Sequence, residues 1–145
     1  MPSDPVRLLL VEDNAADVFL LEAALETATF PIHLKVAWDG VEALEHLAGA
    51  KDRGQLPDLI LLDLNMPRLN GFEVLAALRA DPALAPLVVV VFTTSSAEAD
   101  VQQAYALQAN AYVSKPATLD EFLHLVNLLE AYWFGAASLP STYSP

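Results

Sequence analysis

Four short apolar runs, none of them alternating with polar residues, constrain the fold of this chain more than any other feature. They are Leu8–Val11, Leu59–Leu62, Val88–Phe92 and Ala111–Ser114, and a weaker one spans His33–Ala37. Runs of four to six apolar, often β-branched residues read as strands buried on both faces, as in a parallel sheet. The segments between them have helical period. Asp13 or Asn14 can cap a helix over about 15–28, and Asp39 with Glu42 forms a capping box for a helix ending near Gly49. Lys51–Gln55 then reads as a polar loop before a strand over 58–62. Pro67, Asn70 and Gly71 mark a turn before a helix over 72–80, ended by Asp81-Pro82. Ser95 with Glu98 predicts a capping box opening a helix to about Gln108, and Thr118 with Glu121 another, opening a helix to about Phe134. Strand and helix therefore alternate five times. With right-handed crossovers the expectation is α/β, a five-stranded parallel doubly wound sheet.

If the runs are parallel strands, their carboxyl ends share one edge, where open α/β sheets bind ligands. Glu12 and Asp13 follow the first run, Asp63 the Leu59 run, Thr93 the valine run, and Lys115 follows Ser114. Three carboxylates at one edge repel one another unless a hard cation lies between them. A lysine and a threonine beside them suit a phosphoryl group, so the pattern points to a magnesium-dependent site that phosphorylates an aspartate. Each residue has a plainer reading. Asp13 can be a helix cap, Thr93 a residue of high β propensity, Lys115 an exposed strand end, and Asp63 a solvated loop acid.

The ordered motifs Val11-Glu12-Asp13-Asn14, Leu62-Asp63-Leu64-Asn65-Met66-Pro67, Asn70-Gly71, Thr93-Thr94 and Tyr112-Val113-Ser114-Lys115-Pro116 resemble a response-regulator receiver domain of two-component signalling. The resemblance spans roughly residues 6 to 134, and it implies a flavodoxin-like (βα)5 fold. Residues 1–134 then form the receiver domain and 135–145 a C-terminal tail. It further implies that Asp63 is the phosphoacceptor, and that Glu12, Asp13, Asp63 and the Asn65 carbonyl serve Mg2+. Thr93 and Lys115 would hold the phosphoryl group. Thr93 and Tyr112 would form a switch, with a cis bond before Pro116. The partner implied is a sensor histidine kinase. Asp13–Asp17, Thr93–Glu98 and Tyr132-Trp133 are similar to the single-domain regulators of phytochrome-type kinases. Asn70, Thr94 and Ser95 depart from common family residues, and for Thr94 and Ser95 a changed dephosphorylation lifetime is the expectation. The alternative is a haloacid-dehalogenase-like phosphohydrolase, but that chemistry wants an acid where Asn65 stands.

Other classes are disfavoured. A net charge of −12 repels nucleic-acid phosphates and anionic membrane surfaces. No run approaches the roughly 20 apolar residues of a membrane span, and the amino terminus has no secretory pattern. There is no cysteine, so disulfide and thiol chemistry are absent, and a cytoplasmic location is expected. His33, His46 and His124 have no metal-ligand spacing and read as surface or edge residues. No enzymatic role beyond self-catalysed phosphoryl transfer and loss is expected, and output falls to protein contacts. In the last helix, Leu119, Phe122, Val126 and Leu129 form an expected core face. A second stripe of Leu125, Leu128 and Tyr132, extended by Trp133, predicts a homodimer interface that includes the tail. Val18, Phe19, Leu20 and Leu21 cannot all face the core, so part of the first helix should be exposed for a kinase to dock.

Overall fold

The structure, a computed structural model, describes residues 5–131. Ten elements alternate along the chain: β1 Val6–Val11, α1 Ala15–Leu25, β2 Ile32–Ala37, α2 Gly40–Arg53, β3 Leu59–Leu62, α3 Gly71–Ala80, β4 Val89–Thr93, α4 Glu98–Ala106, β5 Ala111–Ser114 and α5 Leu119–Leu129. The strands pair in parallel in the order β2-β1-β3-β4-β5. This is the expected doubly wound sheet. Residues alternate between two cores, as the period-2 geometry of a strand requires. Leu9, Val11, Ile60, Leu62, Val89 and Val91 pack with Leu47, Val74 and Leu78 of α2 and α3. Leu8, Leu10, Leu59, Leu61, Val90 and Phe92 pack with Leu21, Phe122 and Val126 of α1 and α5. Phe92 and Phe122 meet edge to face, with ring centroids 5.9 Å apart.

Helix signals account for most boundaries. Asn14, not Asp13, caps α1, its side chain accepting from Asp17 N. Asp39 and Thr118 cap α2 and α5 in the same way. The complete reciprocal capping box lies at Asn70 and Glu73 of α3, which starts at Gly71 rather than Phe72. Gly71 is required for space. A Cβ there would sit 2.3 Å from Asp63 O and 2.7 Å from Leu64 Cα.

Four expectations are corrected. Helix α2 runs through Gly49 to Arg53, because Gly54 supplies the left-handed C-cap (φ 65°) that ends it, so Lys51–Arg53 are its last turn and not a loop. The Ser95–Glu98 capping box does not form: α4 is capped at Ala97 without a side-chain bond, and Ser95 Oγ donates to Asp100 Oδ2 instead. No peptide bond among the described residues is cis. The Lys115–Pro116 bond therefore takes the trans form that X–Pro bonds favour by about 0.5–1 kcal/mol. On α5, Phe122, Val126 and Leu129 are buried as expected, but Leu119 is 42% exposed because it opens the helix beyond the sheet. Leu125 belongs to the core and Leu128 is exposed. Tyr132, Trp133 and the tail lie outside the described residues, as does the expected end of the last helix at Phe134.

One cation joins three segments. Arg79 of α3 donates to the carbonyls of Ala85 (2.7 Å) and Leu87 (2.8 Å) before β4. It also donates to Gln108 O and Asn110 Oδ1 before β5. Asn110 Oδ1 in turn accepts from Val89 N at 2.7 Å.

Candidate functional site

The chain leaves β1 toward β2 on one side and reaches β3 on the other, so the crevice between the carboxyl ends of β1 and β3 is a topological switch point. The register pairs Val11 with Leu62, which brings Glu12 and Asp63 side by side. Backbone bonds fix both turns. Asp63 N donates to Val11 O (3.0 Å) and Glu12 N to Ala37 O (3.0 Å). Carboxylate oxygens of Glu12, Asp13 and Asp63 all lie within 4.8 Å of one another. Glu12 and Asp63 are buried and Asp13 is exposed at the mouth.

Lys115 reaches this cluster from the end of β5. Its Nζ lies 2.5 Å from Glu12 Oε1, 3.0 Å from Asp17 Oδ2 and 3.4 Å from Asp63 Oδ2, with its side chain 6% exposed. Its backbone N donates to Thr93 O at 2.8 Å, tying the two strand ends together. Burial pushes the Glu12 carboxyl up to about 7, helped by the neighbouring Asp63 charge and opposed by Lys115. Burial also pulls on Lys115, but Glu12, Asp17 and Asp63 outweigh it and hold the ammonium charged well above the usual lysine range. One ammonium faces four carboxylates, so the cluster keeps an excess of negative charge. Glu12 Oε1, although close to Lys115, receives no properly directed hydrogen bond. Three convergent carboxylates, one with a poorly satisfied buried oxygen, are the donor set of a hard divalent cation.

The other expected residues sit around this centre. Asn65 begins the exposed β3–α3 loop, and its N–H makes a long 3.5 Å contact to Asp63 Oδ1. Thr93 is fully buried at the end of β4. Its Oγ1 makes a long 3.4 Å contact with Ser95 N. Tyr112, half-buried on β5, donates its hydroxyl to Ser95 O at 2.8 Å. Thr94 is exposed, and Asn70 caps α3. Two residues were not anticipated. Asp17 was quoted only as part of a motif, yet it pairs with Lys115. It lies in the first turn of α1, and its lysine partner is distant in sequence. Arg68 holds a left-handed conformation (φ 67°) while Leu69 N donates to Pro67 O (2.8 Å) across it, a tight turn centred on Arg68. Its guanidinium donates to Asp39 Oδ2 at 2.7 and 2.9 Å, which ties the β3–α3 loop to the cap of α2. Nothing in the sequence pattern signals that pair. On α1, Val18 and Leu21 are buried while Phe19 is 68% exposed, as a docking face would require. Among the described residues, no helix is long and apolar enough to cross a membrane.

Comparison with known proteins agrees with this geometry. The family model for the response regulator receiver domain matches residues 8–127. Response regulator Rcp1 of Synechocystis sp. is 39% identical over 94% of this chain and 95% of its own. The phosphorylated cyanobacterial phytochrome response regulator RcpA superposes with a TM-score of 0.88 at 41% identity, covering 95% of this chain and all of that one. The Mn2+-bound form of Rcp1 superposes with a TM-score of 0.84 at 39% identity, covering 94% and 99% of the two chains. None of these likenesses supports the haloacid-dehalogenase-like alternative. The chain belongs to the response regulator receiver domain family.

Proposed function

We propose that this chain is a switch that accepts a phosphoryl group on Asp63 from the phosphohistidine of a sensor histidine kinase. The observation that carries this reading is the meeting of Glu12, Asp13, Asp63 and Lys115 at one sheet edge. A carboxylate is a poor nucleophile toward an anionic phosphoryl group until nearby cations offset the charge. Mg2+, held by Glu12, Asp13, Asp63 and the Asn65 carbonyl, would supply that positive charge. Lys115, freed from part of its carboxylate pairing, holds a phosphoryl oxygen as a point charge. Thr93 directs its hydroxyl to a second oxygen. An Asp63 oxygen bonds to phosphorus as the P–N bond breaks, and the electron pair returns to the kinase imidazole, which takes up a proton. Thr93 and Tyr112 then pass the change to the β4–α4 and β5 surface.

The similarity to phytochrome response regulators supports a phytochrome-type kinase as partner, and Phe19 on α1 suits its docking. A homodimer through α5 and the tail belongs to the same proposal. Exposed Leu128 supports it, whereas Leu125 is largely used by the chain's own core; Tyr132 and Trp133, which the sequence assigns to the same patch, lie outside the described residues. We place the protein in the cytoplasm, in keeping with a sequence that has no cysteine. Incubation with acetyl phosphate and Mg2+ followed by intact mass tests the central step. One added phosphoryl group is expected, absent in Asp63→Asn; equal labelling of that variant would refute the assignment. Sedimentation of a chain ending at Glu130 tests the dimer, which fails if the shortened chain associates as well as the full one.

A further inference from the structure

The opposite end of the sheet carries a second cluster of charge, and it is of the other sign. The whole sequence holds only seven Lys and Arg and three His. Arg7, Lys35, Arg53, His33 and His46 line one cleft of about 160 Å³, with Gln55, Pro57, Leu8 and Leu9. The register explains the convergence. Arg7 of β1 lies directly beside His33 of β2, and Leu9 beside Lys35. Ile32, Leu34 and Val36 pack against the core on the α1 and α5 side, so His33 and Lys35 project from the other face, toward α2. His46 and Arg53 are seven residues apart on α2, two turns along one helix face. Arg53 bends back along the helix. Its guanidinium lies 3.0 Å from where a Cβ of Gly49 would be, and its Nε makes a 3.5 Å contact with Gln55 Oε1. Arg7 is the second residue of β1, so the cleft lies about 16 Å along that strand from Glu12, at ~3.3 Å per residue.

We propose that this cleft binds a free tetrahedral oxyanion of the phosphate class. Like charges gathered in a cleft cost energy unless an anion joins them. The sequence holds 19 acids, yet among the described residues no carboxylate forms an ion pair with Lys35 or Arg53. Asp58, next in sequence to the lining residue Pro57, accepts the backbone N–H of Arg7 on Oδ2 (2.8 Å). Burial, then the charges of Lys35 and Arg53, hold His46 below the usual histidine range, so the positive potential is felt inside the cleft. A lysine guarding an edge strand against aggregation accounts for Lys35 alone. It does not account for a matching pair on α2. Size decides the ligand class, because the cleft is smaller than the roughly 300–1,000 Å³ sites that hold drug-sized molecules.

The test is an amide NMR titration of the full chain with inorganic phosphate, at constant ionic strength and without divalent ions. Saturable shifts are expected at Arg7, Lys35, His46, Arg53 and Gln55, with a dissociation constant on the order of 1 mM or below. The exposed substitutions Lys35→Gln and Arg53→Gln together should weaken binding at least about tenfold, a loss of one charge-assisted contact or more. Bound phosphate should also raise the titration midpoint of the His46 ring. A parallel titration with O-phosphoserine separates a free anion from a phosphate carried by another molecule. Shifts that never saturate, binding unaffected by the double substitution, an unmoved His46 midpoint, or markedly tighter phosphoserine binding would each overturn the proposal.

Discussion

Replacing Gly71 with alanine should damage both stability and chemistry, through contacts with the very strand end that carries Asp63. The new methyl would start 2.3 Å from Asp63 O, 2.7 Å from Leu64 Cα and 3.0 Å from Asp63 C. All three are main-chain atoms, so no rotamer change relieves the clash. Ordinary carbon–oxygen contact needs about 1 Å more, taken up by α3 moving out or by the Asp63 turn moving in. Overpacking of this kind costs about 1–3 kcal/mol, and a rigid backbone neighbour puts the case at the upper end. At roughly 3 °C per kcal/mol for a domain of this size, the melting temperature should fall by about 6–9 °C. A displacement near 1 Å at a reacting group can slow reaction by about 100-fold. Calorimetry gives the first number, and the rate of mass gain with acetyl phosphate, taken well below the transition, gives the second. A variant that melts within about 2 °C of the parent, less than the shift expected from 1 kcal/mol, and labels at the parental rate would refute the packing argument.

Arg79→Met should cost about 3 kcal/mol, because the carbonyls of Ala85 and Leu87 lose charged donors, each worth about 1.5–3 kcal/mol when partly buried. Chemical denaturation checks this, and a loss under about 1 kcal/mol would show that water replaces the guanidinium. Asp39 is held below the usual aspartate range first by the Glu42 N–H and then by Arg68. Its stabilisation is therefore complete above about pH 4 and lost as pH falls through the lowered folded value. The stability gap between the parent and Asp39→Asn should accordingly be widest near neutrality and close in acid; a gap that widens in acid contradicts the assignment. Divalent ion at about 100 times its dissociation constant should add roughly 2.7 kcal/mol of stability, removed by a chelator and much reduced in Asp13→Asn. Equal stabilisation of that variant would take Asp13 out of the donor set.

The parts of the fold that were legible in the sequence are those where composition and position agree. Runs such as Leu59–Leu62 are apolar because both faces are covered, and the polar residues that follow the runs gather at one edge of the sheet. Helix ends were less legible. Gly49 looked like a terminus, but a mid-helix glycine is tolerated, and here it lets Arg53 fold back over the helix. Ser95 had the spacing of a cap, but Asp100 offered its hydroxyl a stronger acceptor. Asp17, Arg68 and the Arg79 network depend on residues distant in sequence or on a turn angle that no periodicity reveals. The apolar stripes of α5 divided differently from their spacing because the helix starts past the sheet, leaving Leu119 outside and drawing Leu125 in.

Ser95 uses all of its polar groups at once. Its amide faces Thr93 Oγ1, its hydroxyl donates to Asp100, and its carbonyl accepts from the Tyr112 hydroxyl. Three parts of the molecule, the strand end beside Lys115, the first turn of α4 and the outer edge of β5, therefore share one residue as their common joint. A rotation of the threonine hydroxyl toward the acid cluster would withdraw one of these three ties and leave Ser95 joined to Asp100 and Tyr112.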